Sequence, residues 1–209
     1  SSAILLPTSA PPVTPPPRPR VTAPTPRRWT LTEYLNLAKA GLLDGLRTIL
    51  IAGEILVMPQ PGTAHDTALT AAFEFLRTVC PAGHYLRNQQ SFNVGTDNDP
   101  GPDLAIVPGH FRDYATQAPT VALIVLEVAD SSLAKDTTTK AELYATARVP
   151  EYWVIDLEHR QLIVFRDPQP LPTGLGATAY RTHATFGPAD GVAPLFAPGA
   201  PVRVADLLP

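Results

Sequence analysis

The stretch that most restricts the fold runs from Val121 to Ala129, Val-Ala-Leu-Ile-Val-Leu-Glu-Val-Ala. It is too short and too β-branched for an ordinary helix and suits a buried strand. Six apolar residues precede Glu127, and Val128 and Ala129 follow it. An ionised glutamate in that setting is costly to bury without a partner. Two readings are open from this strand alone: a structural ion pair with an arginine or lysine, or a ligand for a metal ion.

The flanking sequence bears on that choice. Asp103 lies 24 residues upstream, follows Pro102 and opens the apolar run Leu104-Ala105-Ile106-Val107. Lys140 lies 13 residues downstream, in a segment with helical spacing. Two carboxylates at the ends of neighbouring buried strands can hold a divalent metal. A lysine beside them can steady the negative charge that develops when a phosphodiester is attacked. The set Asp103, Glu127 and Lys140 therefore moves the balance towards a metal site. Lys140 also sits four residues after Asp136, which leaves a plain surface ion pair as its alternative role. Lys135 is a rival cation, but it falls in a turn. Glu54, opening Ile55-Leu56-Val57-Met58, and His65, at the start of a long helix, form a second layer of candidates. Glu54 offers an oxygen through water, and His65 a contact to metal or phosphate; taken alone, each such residue is more often structural.

Composition excludes several classes. The 209 residues are 44% hydrophobic and 17% charged, enough for one domain with a full core. No apolar run is long enough to span a bilayer, and the start lacks the basic and apolar regions of a secretion signal. Cys80 is the single cysteine, so neither an internal disulfide nor a thiolate metal site is expected. Packing near a helix end is its simplest role, and a reducing cytoplasm is the expected location. The net charge of −3 weighs against a protein that coats nucleic acid electrostatically. Residues 1–32 hold four arginines (Arg18, Arg20, Arg27 and Arg28) and no acid, leaving 12 basic against 19 acidic residues in the remainder. An acidic body suits a metal nuclease whose carboxylates are partly neutralised by the ion, and it predicts weak, salt-sensitive DNA binding.

Residues 1–28 are Pro-rich and read as an extended arm, either solvated or packed on a neighbouring subunit or phosphate. One domain follows, over 29–209. Thr30-Leu31-Thr32-Glu33 has the form of a capping box that opens a helix ended by Gly41 and Gly45. Strands are predicted at 47–52 and 54–58, a helix over 63–80, and strands at 85–94, 103–107 and 121–129. A helix over 136–148 and strands at 151–157 and 161–166 come next. The Pro- and Gly-rich end adds a strand around 179–184 and short ones near Val192 and Val202. The expected fold is α/β (α+β), a mixed sheet flanked by helices. Tyr152 and Trp153 read as core or subunit-interface aromatics. There is no Gly-x-Ser-x-Gly elbow, phosphate-binding loop or dinucleotide fingerprint, and neither His159 nor His183 has a partner at ligand spacing.

Together, Pro102-Asp103-Leu104-Ala105, Leu126-Glu127-Val128, Asp136 with Lys140 and Tyr144, and Pro150-Glu151-Tyr152-Trp153 resemble the Uma-type family. These are bacterial proteins described as restriction endonucleases and long grouped as a domain of unknown function. The likeness covers about residues 30–207 and includes Gly53-Glu54, Met58-Pro59 before His65, and Val204-Ala205-Asp206. It implies a restriction-endonuclease-like fold with extra N- and C-terminal strands, Mg²⁺ or Mn²⁺ as cofactor, DNA as substrate, with another nucleic acid as the alternative, and a homodimer that presents two sites. It further implies Asp103 and Glu127 as metal ligands, Lys140 as charge stabiliser, Glu54 as an auxiliary acid and His65 as a fifth site residue. Two departures stand out. Ala129 occupies the position two after Glu127, where the superfamily has lysine, so the lysine function moves to Lys140. Ala129-Asp130-Ser131-Ser132 replaces the family's Leu-Ser-Pro-Ser and adds an acid beside the site. Fold alone does not fix activity, so a catalytically silent module for binding or assembly is the competing expectation.

Overall fold

The computed structural model describes residues 24–171 and 178–209. Residues 1–23 of the Pro-rich arm therefore lie outside the described residues. A six-stranded sheet forms the centre, in the spatial order β3 (His84–Asn88), β4 (Leu104–Pro108), β5 (Ile124–Ala129), β6 (Glu151–Asp156), β7 (Gln161–Pro170) and β8 (Thr178–Phe186). Every neighbouring pair is antiparallel except β5 with β6. A parallel pair needs a long crossover. Here it consists of α3 (Leu133–Lys135), a π-helical turn (Asp136–Lys140) and α4 (Ala141–Thr146).

Side chains alternate across the strands and divide the core in two. On one face Leu104, Ile106, Leu126, Val128, Trp153 and Ile155 meet Ala68, Leu69, Ala72 and Leu76 of α2 (Thr63–Val79). On the other, Ala105, Val107, Val125 and Val154 meet Tyr144 and Ala141 of α4. Trp153 and Tyr152 are both fully buried, one on each face, which settles them as core residues. Half-buried Cys80 packs against the α2 side.

The N-terminal part is a satellite. Thr30 caps α1 (Leu31–Lys39) with the reciprocal Glu33 contacts of a capping box. Strands β1 (Thr48–Ile51) and β2 (Glu54–Val57) form a hairpin turned at Ala52 and Gly53, both with positive φ, the conformation a two-residue hairpin favours. Gly53 is required twice over, because a Cβ there would lie 2.8 Å from that of Arg28. Leu50 bridges to Asp99 and ties the hairpin to the body. At the C-terminus β9 (Gly191–Val192) pairs with β10 (Val202–Arg203), and Val204, Leu207 and Leu208 close the α2 side of the core.

The strand expected over 121–129 starts only at Ile124 and that over 161–166 runs on to Pro170, and two further elements change more. The strand expected over 85–94 stops at Asn88. Gln89 adopts φ 49°, and β4 begins opposite Asn88 at Leu104, so no partner remains for further residues. Phe92 and Val94 instead turn inward from a loop. The helix expected over 136–148 starts at Leu133, ends at Thr146 and contains the π turn. No helix of the described residues is long and apolar enough to cross a membrane.

Candidate active site

The 24-residue interval between Asp103 and Glu127 is a strand register. Leu104 pairs with Leu126 in the antiparallel β4–β5 ladder, so one step further brings Asp103 level with Glu127. The Asp103 amide faces Glu127 Oε2 at 3.4 Å. Asp103 stands just before β4, at the end of the sheet. Its Oδ2 accepts the Val128 amide at 2.9 Å and lies 3.3 Å from Nε2 of His65, in the first turn of α2. Its Oδ1 accepts from Gln89 Nε2 at 3.3 Å and lies 3.6 Å from Arg47.

The crossover supplies the other side. Lys140 donates to Glu127 Oε1 at 2.8 Å, and the Tyr144 hydroxyl donates to the same oxygen at 2.7 Å. Lys140 also lies 3.5 Å from Asp136, whose carboxylate accepts from Ser132. The ion pair of Lys140 with Asp136 is thus buried, not a surface pair. The π turn carries both residues, and its hydrogen bonding differs from the flanking α-helix, a departure that frequently occurs at functional sites.

Burial pushes Glu127 up to about 8; Lys140 draws it down, while the charges of Asp103 and Asp136 push it further up. Burial likewise raises Asp136, against the pull of Lys140. At Asp103 burial acts upward too, but hydrogen bonds from His65 and the Val128 amide and the charges of His65 and Lys140 outweigh it, so its carboxyl stays below the usual range. The hydrogen bond to Asp103 raises His65 in spite of its burial. Burial disfavours the Lys140 ammonium, yet Glu127 and Asp136 overcome this and raise its pKa. The cluster therefore holds a charged lysine among three buried carboxylates, one of which readily keeps its proton.

These groups line a small cavity of about 70 Å³, together with Arg47, Met58 to Gly62 and Asp130 to Ser132. Asp103, Glu127, Lys140 and His65 come together here. Glu54 does not. It is exposed at the turn end of the hairpin, paired with Arg28 at 2.5 Å, whereas Arg47 and Met58, at the open end, reach the cavity. The rival Lys135 is half-buried and outside the lining. His159 meets Asp156 at 2.8 Å, a single pair away from the cavity. Arg47, Gln89 and the Tyr144 hydroxyl are additions that sequence reasoning missed. Tyr144 was legible as an inward helix position, but nothing in one sequence marks Arg47 or Gln89. Among the described residues no group of three or more His, Cys, Asp or Glu side chains is arranged to hold a metal. The oxygen donors the cavity offers are the Asp103 and Glu127 carboxylates.

No curated protein matches the chain. Among solved structures it is similar to one described as a "putative nuclease belonging to DUF820" from Anabaena variabilis ATCC 29413. The TM-score is 0.65 at 19% identity, over 85% of this chain and 96% of that one. At that identity the likeness establishes the fold alone. The Uma2 family model, described as "Putative restriction endonuclease", matches residues 31–192. The chain belongs to this family of restriction-endonuclease-like proteins.

Proposed function

We propose that the protein is a Mg²⁺- or Mn²⁺-dependent endonuclease that hydrolyses DNA phosphodiester bonds. The observation that carries this reading is the facing pair of buried carboxylates, Asp103 and Glu127, held against Lys140 at one small open cavity. The donor set fits a hard cation. Mg²⁺ keeps much of its water and commonly takes only one or two protein carboxylates. Glu127 Oε2 has a single long contact, and a bound cation would offset what raises Glu127, its burial first and then the charges of Asp103 and Asp136. Asp103 and Glu127 would hold the ion, which supplies charge shielding at phosphate and acidification of water.

The chain's own groups have separable tasks. Val128 N–H and His65 fix the rotamer of Asp103, and Tyr144 and Lys140 fix that of Glu127. The Lys140 ammonium places positive charge where the phosphorus centre gains negative charge. Cleavage of both strands calls for two such sites, and a homodimer would supply them.

The test is Mn²⁺ calorimetry on the native protein, Asp103→Ala and Glu127→Ala, followed by a plasmid-nicking assay with Mg²⁺ or Mn²⁺. Binding that vanishes in both variants, with nicking lost in parallel, supports the reading. A native protein that takes up no Mn²⁺, with or without DNA, sinks it. The acidic balance of the chain would then favour a non-catalytic binding or assembly module.

A further inference from the structure

The contacts from Arg47 to Asp103, Asp103 to Glu127 and Glu127 to Lys140 make a row with a cation at each end. The two cations differ. The Lys140 side chain is 5% exposed and already engages Glu127 and Asp136. An incoming anion would have to compete with buried carboxylates for it. The Arg47 side chain is 33% exposed, lies 3.6 Å from Asp103 and makes no side-chain hydrogen bond among the described residues. A guanidinium presents five N–H donors in a planar fork that matches two phosphate oxygens.

The surroundings of Arg47 suit an anion. Its carbonyl accepts the Met58 amide at 2.7 Å, which fixes its backbone at the cavity edge. From Met58 the lining continues through Gly62 into α2, a helix of 17 residues whose N-cap provides no side-chain hydrogen bond. Its first backbone N–H groups therefore lack that partner at the positive end of the helix. His65 lines the same cavity with its side chain 8% exposed; its Nδ1 has no hydrogen bond among the described residues and lies 3.7 Å from the exposed carboxylate of Asp66. Asp130, on the same rim, opposes an anion, but it is exposed and water screens it.

We propose that Arg47 is the residue that holds the substrate phosphate, its guanidinium taking the non-bridging oxygens of a phosphodiester at the cavity mouth. Lys140, held by Glu127 and Asp136, keeps the charge-stabilising task given above but is not the group that grips the incoming phosphate. The proposal rests on the nuclease reading above and deepens it. It also names the substrate class. A cavity of about 70 Å³ is far smaller than sites that enclose whole organic ligands. It admits a phosphate and leaves the bases outside, so the contact is to the nucleic-acid backbone and indifferent to base sequence.

The experiment measures binding of a short labelled DNA oligonucleotide over a range of salt with Ca²⁺ present, for native protein, Arg47→Met, Arg47→Lys and Arg77→Met. Arg77 lies near the far end of α2, exposed and paired with Glu74, and serves as the charge control. Calorimetry with Mn²⁺ alone and thermal melts accompany each protein. Arg47→Met is expected to weaken DNA binding roughly tenfold and to lower the salt slope by about one, with metal binding and folding retained. Arg47→Lys keeps the slope but loses affinity, because a point charge replaces the fork. If Arg47→Met binds DNA as tightly as Arg77→Met, the assignment of Arg47 is overturned while the nuclease reading stands. If the native protein binds no DNA at low salt, both are overturned.

Discussion

Two glutamates lie buried on the two parallel strands of the sheet, and they are finished differently. Glu151, at the start of β6, has both oxygens closed. Oε1 accepts from Trp153 Nε1 at 2.8 Å and from Arg166 at 2.6 and 2.9 Å, and Oε2 accepts the Leu195 amide at 2.7 Å. Arg166 is itself held by the Ala193 carbonyl. Glu127, on β5, has Oε1 closed by Lys140 and Tyr144, but Oε2 has only the 3.4 Å contact and the residue lines the cavity. Burial alone thus does not distinguish a closed structural acid from one open to a ligand. The separation lies in whether each oxygen has a short donor, and whether carboxylates outnumber the cations that serve them.

The largest effect is expected where the closure is complete. Glu151→Ala strands Trp153 Nε1, the Leu195 amide and Arg166, and should cost about 3–5 kcal/mol in chemical denaturation, with Mn²⁺ binding unchanged in whatever fraction remains folded. Lys140→Met leaves two buried carboxylates without their cation. Glu127 can relieve this by keeping its proton, since burial already holds it at about 8, so the loss should be nearer 1–3 kcal/mol. An equal or larger loss than for Glu151→Ala would erase the contrast.

Glu127→Gln gives a pH-dependent outcome. The folded-state pKa of Glu127 is raised from 4.5 to about 8, so between these values the native state binds more protons than the unfolded one. Its contribution to stability therefore falls as pH rises through that window. The stability of Glu127→Gln relative to native should improve from pH 5 to pH 8, measured by urea denaturation at both, while Mn²⁺ binding is lost. A difference that does not change with pH would show that Glu127 is ionised throughout. Smallest of all, Glu54→Ala removes an exposed pair with Arg28, and should shift stability by no more than about 0.5 kcal/mol and leave Mn²⁺ affinity as it was.

What could be read from the sequence follows from how far each signal reaches. Asp103 and Glu127 were legible because one opens an apolar strand and the other interrupts one, and a register converts their interval into contact. Lys140 was legible as a cation on the following helix. Glu54 was misplaced because a hairpin has two ends, and sequence proximity does not say which faces the cavity; the end that does is marked by Arg47. Arg47 itself gave no signal, since an arginine ahead of a strand is ordinary. The strand predicted over 85–94 failed for a related reason. Its apolar residues Phe92 and Val94 are buried, but in a loop beyond the reach of β4. Nor did the sequence separate the two glutamates, because Arg166, the partner of Glu151, comes from the next strand and Leu195 from beyond it.

The only parallel step of the sheet, β5 to β6, joins topology to site assembly. Its crossover carries Lys140 and Tyr144, so the segment that completes the sheet also delivers both donors to Glu127. Non-local pairings of this kind are slow to form, because the loop must close before its contacts reward it. The Lys140–Glu127 contact therefore reports that this crossover has docked on the central sheet.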